Sequence, residues 1–238
     1  MIVWLASYPR SGNTFFRIVL HHVYNLKTFS VYDDAVLDKV GVSEVVGHAE
    51  MPAPIEQLRE SQDIFFVKTH DLPADDSPAV YLVRDGRDAL VSHAKYLQSF
   101  KRKKGRHLLD DATKEFERTL EKLIWQKPQF GGWSNHVREW TSRGAVRTVV
   151  VRYEDLIAAP QREVEKALAD LGLNLKTLSG GVVPDFAALQ AKSPEFFRKG
   201  RSGVWREEMP ARLQQLFLDH HRAVMEDFGY LPALAKQA

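Results

Sequence analysis

The residues with the clearest chemistry lie near the start of the chain, directly after a short apolar run. An arginine, a glycine and three short polar side chains follow one another there, as Arg10, Ser11, Gly12, Asn13 and Thr14. A buried strand that turns into a helix at such a segment directs backbone N–H groups and the positive end of the helix dipole toward one point. The segment therefore predicts an anion-binding loop, with a capped helix after a surface turn as the alternative.

The same segment excludes the phosphate loop of ordinary ATP- and GTP-dependent phosphotransferases. That loop requires the pattern G-x-x-x-x-G-K-[ST], in which lysine follows the second glycine. Here the turn holds one glycine, Gly12, and the next residue is Asn13. The departure separates this chain from those enzymes, although its loop is expected to bind an anion as well.

A histidine that could act as a general base follows the second apolar run, residues 64–68. His70 lies two residues beyond Lys68. Open parallel sheets bind ligands at the carboxyl ends of their strands, so both side chains are expected to lie at a site. Histidine accepts a proton at neutral pH, because its ordinary pKa is near ~6.5. The alternative is a histidine of the surface or of the core.

These segments resemble motifs of the sulfotransferase family. Residues 8–15 read Y-P-R-S-G-N-T-F, where the family's sulfonate-donor loop reads much like Y-P-K-S-G-T-T-W. Residues 68–73 are similar to the family's K-T-H-L-P, with Asp71 inserted before Leu-Pro. Residues 81–93, 151–156 and 197–205 resemble three further motifs, the last reading F-R-K-G-R-S-G-V-W. The matches run in the family's order from residue 2 to about residue 205.

The resemblance implies that the donor is 3′-phosphoadenosine-5′-phosphosulfate (PAPS) and that the product is 3′-phosphoadenosine-5′-phosphate (PAP). The first loop would hold the 5′-phosphosulfate, and Arg84, Ser92 and the loop near residue 200 would hold the 3′-phosphate. Phe15, Tyr153 and Phe186 would lie near the adenine. The residues implied for donor binding are Arg10, Ser11, Gly12, Asn13, Thr14, Phe15, Arg84, Ser92, Tyr153, Phe186, Arg198, Lys199 and Gly200.

The resemblance also implies a catalytic set. His70 would remove the proton of the acceptor, while Lys68 and Arg10 would stabilise negative charge on the transferred group. The family commonly has lysine at the position of Arg10. Since arginine stays protonated, Arg10 is expected to act by charge and hydrogen bonding alone. No metal is required, and the nine histidines show no chelating spacing.

The elements that must position these residues alternate along the chain. Four short apolar runs predict buried strands at 2–6, 64–68, 80–83 and 146–151. Helical patterns follow at 14–24, 87–100, 112–126, 134–141, 161–171 and 210–228. Alternating strands and helices predict an α/β fold, a parallel sheet with helices on both faces and a P-loop-like nucleotide site. Residues 1–238 show no linker or repeat, which predicts a single domain.

Composition narrows the other possibilities. The net charge is +2, from 33 basic and 31 acidic residues, which excludes a strongly cationic nucleic-acid coat. Cysteine is absent, so no disulfide or thiolate nucleophile is possible. The first apolar run lacks a basic segment before it and ends at Ser7, so neither a signal peptide nor a membrane-inserted segment is expected. A cytoplasmic protein is the prediction.

Two other functions remain open from the residues alone. A nucleotide or small-molecule kinase would also use a strand–loop–helix phosphate site. A non-catalytic binding module is the third reading, because residues 101–106 form a basic run that could hold nucleic acid. Because the chain as a whole is nearly neutral, the run at 101–106 is better explained as a solvated loop than as a nucleic-acid site. No nucleic-acid partner is therefore predicted. The sequence does not identify the acceptor, which is expected to be a small molecule, glycan or peptide with a hydroxyl or amine group. It does not indicate the oligomeric state either.

Overall fold

The structure is a computed structural model that describes residues 1–33, 35–39, 41–103, 112–125, 130–144, 146–194, 197 and 199–232. Within them, five parallel strands form one sheet in the order β2-β3-β1-β4-β5. Their bounds are β1 Ile2–Ser7, β2 Thr28–Ser30, β3 Phe65–Thr69, β4 Ala79–Val83 and β5 Thr148–Arg152. The four predicted strands are confirmed to within two residues at each end.

The edge strand β2 escaped prediction because it has three residues and no apolar run. Its register with β3, in which Thr28 pairs with Phe66, extends the sheet beyond β3. The Thr28 side chain is fully buried, and its hydroxyl accepts a hydrogen bond of 2.8 Å from Nε of Arg17. This strand matters for the site, since the chain leaves it at residue 31, beside the end of β3.

Six long helices were predicted and are confirmed to within three residues at each end, as α1, α5, α6, α7, α9 and α12 below. Six shorter helices were not predicted, because one or two turns carry too little periodicity. The bounds are α1 Asn13–Tyr24, α2 Ala35–Lys39, α3 Ser43–Val46, α4 Ile55–Glu60, α5 Gly86–Lys103, α6 Ala112–Ile124, α7 Trp133–Thr141, α8 Tyr153–Ala158, α9 Pro160–Asp170, α10 Phe186–Lys192, α11 Trp205–Glu208 and α12 Ala211–Asp227.

Helices cover both faces of the sheet, as predicted. On β1, Trp4 and Ala6 face a core shared with α5, α6, α7 and α12, whereas Val3 and Leu5 face a core shared with α1, α8 and α9. Strands buried on both faces read as continuous apolar runs, which is why the strands were recognisable. In the described part of the chain, no helix is long and apolar enough to cross a membrane.

Three histidines are buried in this scaffold and are held in the neutral form. His93, His136 and His221 are 6%, 0% and 1% exposed. Burial lowers the pKa of each to about 4. In the unfolded chain, with a pKa near ~6.5, these side chains bind protons at a pH where the folded protein does not. Stability is therefore lost as the pH falls below that value.

Together these three histidines should lower the free energy of unfolding by about 3 kcal/mol between about pH 6.5 and about pH 5.5, or about 1 kcal/mol per histidine. Urea denaturation of the wild type and of His221→Gln at the two pH values measures this contribution. The variant should lose about 1 kcal/mol less than the wild type, because one buried group no longer titrates. An equal loss in the variant and the wild type would contradict the expectation.

Candidate active site

A cavity of about 910 Å³ opens at the carboxyl ends of the strands. Segments far apart in sequence form its wall. They include the loop after β1, the chain after β2, the end of β3, the start of α5, Phe130, helix α8 and residues of the chain between 181 and 208. The predicted site residues that line it are Arg10, Gly12, Asn13, Thr14, Phe15, Lys68, His70, Arg84, Ser92, Tyr153, Phe186, Lys199 and Gly200. Ser11 does not line it and is 1% exposed. Arg198 lies outside the described residues.

The loop between β1 and α1 needs glycine at one position. Gly12 has φ 99°, and a Cβ there would lie 2.6 Å from Cδ2 of Tyr153. Arg10 also adopts a left-handed conformation, with φ 70°. The amide of Asn13 donates to the carbonyl of Leu5 at 2.7 Å and so ties the helix start to the strand. The backbone N–H groups of the first turn of α1, which lack acceptors within the helix, lie at the cavity wall.

The donor groups of this wall fit an anion. Among the described residues, three arginines (Arg10, Arg84 and Arg201) and two lysines (Lys68 and Lys199) line the cavity, and all of their charged groups are hydrogen-bond donors. Nε of Arg84, a residue of this wall, is buried and has no hydrogen-bond partner among the described residues. Because buried polar atoms are ordinarily paired, this atom marks a place where an acceptor such as a phosphate oxygen would be accommodated.

The hydrogen bonds of His70 determine which of its ring nitrogens carries a proton. Nδ1 lies 2.7 Å from the carbonyl oxygen of Ser7, which can only accept, so Nδ1 is the protonated nitrogen. Nε2 is therefore left with its lone pair. Burial, with the charge of Lys68 as the second cause, lowers the pKa of His70 to about 3. The imidazole is thus neutral at neutral pH, and the lone pair of Nε2 is not occupied by a proton.

Three side chains hold the backbone and ring of His70 in place. The hydroxyl of Tyr32 accepts the His70 backbone N–H at 2.8 Å, and its ring stacks on the imidazole at 5.9 Å between centroids. Nε2 of His136 donates to the His70 carbonyl at 2.9 Å. Nδ1 of His136 in turn accepts from the hydroxyl of Tyr81 at 2.8 Å. These hydrogen bonds run from Tyr81 on β4 through His136 on α7 to the His70 carbonyl, so both buried elements hold the backbone of His70 in place.

The two predicted charge-stabilising residues, Lys68 and Arg10, both line the cavity. Nζ of Lys68 lies 5.5 Å from the centre of the Tyr32 ring. Nε of Arg10 donates to Ser92 Oγ at 3.2 Å, and its guanidinium carbon lies 5.0 Å from the centre of the Tyr96 ring. The contact between Arg10 and Ser92 joins two segments that were assigned to opposite ends of the donor.

Arg84 joins three segments of the wall. Its Nη1 donates to the carbonyl of Arg10 at 3.1 Å, and its Nη2 donates to the carbonyl of Arg201 at 3.2 Å. Its guanidinium carbon lies 4.3 Å from the centre of the Tyr153 ring. The start of α5 is buried and not a solvated helix end, because Arg84 is 9% exposed and Asp88 is 1% exposed.

The C-terminal loop brings its cations and one glycine to the cavity. Nζ of Lys199 lies 2.9 Å from Glu208 and 3.5 Å from Glu207. Gly200 has φ 56°, and a Cβ there would lie 2.3 Å from Cδ2 of Phe186. The close approach of backbone and ring places Phe186 and Lys199 on the same wall, although 13 residues separate them in sequence.

Several wall residues were missed by sequence reasoning. Tyr32, Tyr96 and Phe130 line the cavity and pack around His70 or Arg10, and Asp88 lies beneath the C-terminal loop. The three aromatic residues lie outside the segments 8–15, 68–73, 81–93, 151–156 and 197–205 that carried the motifs. The basic run at 101–106 continues α5 through residue 103, and its remaining residues lie outside the described part of the chain.

Comparison with known proteins agrees with this geometry. A sequence model of the family described as "Sulfotransferase domain" matches residues 2–229. Sulfotransferase 1E1 of Mus musculus is 26% identical over 94% of this chain and 83% of its own length. Sulfotransferase 1A1 of Rattus norvegicus is 23% identical over 95% of this chain and 85% of its own length.

The fold is also that of a solved sulfotransferase. The crystal structure of mouse sulfotransferase SULT7A1 complexed with PAP has a TM-score of 0.65 and 16% identity, over 96% of this chain and 88% of that one. The family match covers every strand of the sheet and nearly all of the cavity wall. The chain belongs to the sulfotransferase domain family.

Proposed function

We propose that this protein transfers a sulfuryl group from PAPS to the hydroxyl of a small apolar molecule and releases PAP. The observation that carries the proposal is the convergence, in one cavity, of the anion loop, His70 with a defined tautomer, and the loop at residues 199–204. The mouse enzyme SULT7A1 was solved with PAP, which supports PAP as the product here. A cytoplasmic, single-domain enzyme is part of the same proposal.

The donor would be held at both of its phosphate groups. Arg10 and residues 12–15 line the cavity at the start of α1, and they would hold the 5′-phosphosulfate. Arg84, Ser92, Lys199 and Gly200 line the same cavity and would hold the 3′-phosphate. Phe15, Tyr153 and Phe186 also line it, and their rings would offer faces for the adenine.

The reaction follows from the side chains at the cavity mouth. PAPS, when bound, supplies the sulfuryl group and leaves as PAP. Nε2 of His70 accepts the acceptor's proton as its oxygen bonds to sulfur and the bond between sulfur and the phosphate oxygen breaks. Lys68 and Arg10 place positive charge where negative charge develops on the transferred and leaving groups. The orientation of His70 costs nothing at that moment, because Ser7 and Tyr32 already fix it.

The acceptor side of the cavity favours an apolar alcohol. Tyr32 and Phe130 flank His70, with ring centroids 5.9 Å from the imidazole, and both line the cavity. Retinol dehydratase structures of the same fold are complexes with androsterone or retinol together with PAP. Both are apolar molecules. Amine, glycan and peptide acceptors are chemically possible but would meet fewer polar partners on this wall.

The proposal is tested by sulfate transfer from ³⁵S-labelled PAPS to a panel of acceptors. The panel contains a phenol, a sterol, a long-chain alcohol, an arylamine, a disaccharide and a tyrosine peptide. We expect label on the phenol, sterol or alcohol. A kinase would instead move ³²P from the γ-phosphate of ATP with magnesium to the same panel. Phosphate transfer without sulfate transfer would overturn the proposed function.

The close contact at Gly12 gives a prediction about donor binding. In Gly12→Ala, the added methyl group meets the Tyr153 ring and the residue keeps a strained φ. We expect the affinity for PAP to fall by about ten-fold or more. The matched control is Gly144→Ala, where φ is 64° and no atom lies within 4 Å of the new Cβ. Calorimetric titration with PAP separates them; equal affinities in the two variants would contradict the prediction.

A further inference from the structure

The C-terminal part of the cavity wall is one loop, and its position depends on contacts with the elements that it packs against. We call residues Lys199–Trp205 the closing loop. It lines the cavity with Lys199, Gly200, Arg201 and Val204. The ion pair from Arg201 to Glu207 at 2.8 Å joins two side chains that are more than half exposed, and such pairs contribute little to rigidity. The position of this loop is therefore decided by its buried contacts.

Those buried contacts converge on one carboxylate. Oδ2 of Asp88 accepts the backbone N–H of Gly203 at 2.6 Å, and Oδ1 accepts the backbone N–H of Trp205 at 2.8 Å. The Asp88 side chain has no exposed surface. Asp88 lies in the first turn of α5, which carries Ser92 and begins two residues after Arg84, and all three residues line the cavity. Asp88 thus connects the closing loop to the segment 84–92, which carries two other predicted ligands of the 3′-phosphate.

Arg84 completes the connection. Its Nη2 lies 3.8 Å from Oδ2 of Asp88 and donates to the carbonyl of Arg201. The loop is therefore held at residue 201 by Arg84, which lies just before α5, and at residues 203 and 205 by Asp88, in the first turn of α5. Hydrogen bonds to an ionised carboxylate are stronger than those between neutral groups, and a buried carboxylate is retained only where such partners compensate it. The arrangement fixes the distance between Arg84 and the cavity-facing end of the loop.

We propose that Asp88 is a positioning residue for donor recognition, which holds the closing loop against α5 so that the cavity selects adenine nucleotides that carry a 3′-phosphate. Asp88 contacts the loop backbone and has no donor group of its own for a phosphate. The proposal rests on the proposed function, since it names the residue that shapes the donor site. According to this proposal, Asp88 contributes to the binding of the 3′-phosphate and does not contribute to the binding of the 5′-phosphate.

An alternative role for the Asp88 carboxylate predicts the opposite change in the affinity for PAP. If Asp88 acted only as a negative neighbour of Arg84, its removal would raise the positive potential of the site. Binding of PAP would then become tighter in Asp88→Asn. If Asp88 positions the loop, the same change replaces one accepting oxygen by an NH₂ group that faces a backbone N–H, and binding of PAP weakens.

The test is calorimetric titration of wild type, Asp88→Asn and Asp88→Ala with PAP and with AMP. We expect the affinity for PAP to fall by about ten-fold or more in both variants and the affinity for AMP to change by less than about two-fold. The control is Asp75→Asn, a carboxylate that accepts N–H groups of Trp4 and Ser77 away from the cavity. It should leave the ratio of the two affinities unchanged.

Tighter binding of PAP by Asp88→Asn, or an equal loss for PAP and AMP, would overturn the proposal while leaving the proposed function standing. A wild-type chain that binds AMP as well as PAP would overturn both. Hydrogen exchange of the wild-type protein tests the same contacts without a substitution, so the result does not depend on whether a variant folds. The backbone N–H groups of Gly203 and Trp205 should be protected, and their rapid exchange would count against the tether.

Discussion

Replacing His70 by alanine should lower the rate of sulfate transfer by about 10²- to 10⁴-fold, the usual contribution of a positioned general base. The reason is that Nε2 is the nitrogen left unprotonated by the hydrogen bond from Nδ1 to Ser7. The affinity for PAP should stay within about two-fold, since His70 is not among the residues assigned to the phosphates. Initial rates with the acceptor identified in the panel, together with titration of PAP, measure both.

The matched variant for this prediction is His70→Asn. The asparagine amide can still donate to the Ser7 carbonyl from a position close to that of Nδ1, but it provides no base. We expect His70→Asn to be as inactive as His70→Ala. If the asparagine variant kept more than about a tenth of the wild-type rate, the role of His70 would be structural and proton transfer would have to be assigned elsewhere.

Arg10 should account for the second largest loss. We expect Arg10→Ala to lower the turnover rate by about 10²- to 10³-fold, as does the removal of a donor that stabilises developing negative charge. Arg10→Lys should keep the rate within about ten-fold of wild type, because lysine retains the charge and loses mainly the contact from Nε to Ser92. Turnover under saturating PAPS measures the effect without interference from donor affinity.

The control for Arg10 is Arg222→Ala, which removes an equally cationic but partly exposed side chain on α12. It should leave the turnover rate unchanged. If Arg10→Lys were as slow as Arg10→Ala, the geometry of the guanidinium would be required, and charge stabilisation alone would not explain the residue. A wild-type rate in Arg10→Ala would contradict its catalytic assignment.

The long elements of this fold could be predicted because burial imposes a pattern on them. Strands covered on both faces must be apolar throughout, and long helices with one buried face show their period. Strand β2 could not be predicted in this way, because three residues that end in a buried Ser30 carry no such pattern. Its position emerges only from pairing with β3, which is a property of the tertiary structure.

Some residues of the candidate site could be predicted from the sequence, and others could not, for a similar reason. Residues such as Arg84 and Gly200 were recognisable because they lie within motifs of fixed spacing. Tyr32 and Phe130 were not, because the loops that bring them to His70 are far from it in sequence and depend on β2 and α7 for their positions. Asp88 lies inside a predicted motif, but its partners are backbone N–H groups more than 100 residues away, which no local pattern encodes.

The central claim is a donor site that requires a 3′-phosphate, and it is tested most directly by calorimetric titration with PAP, with AMP, and with ATP in the presence of magnesium. The account predicts roughly micromolar binding of PAP, at least about ten-fold weaker binding of AMP, and loss of that difference in Arg84→Ala. Equal affinities for PAP and AMP, or a preference for ATP with magnesium, would contradict it and support a phosphotransferase instead.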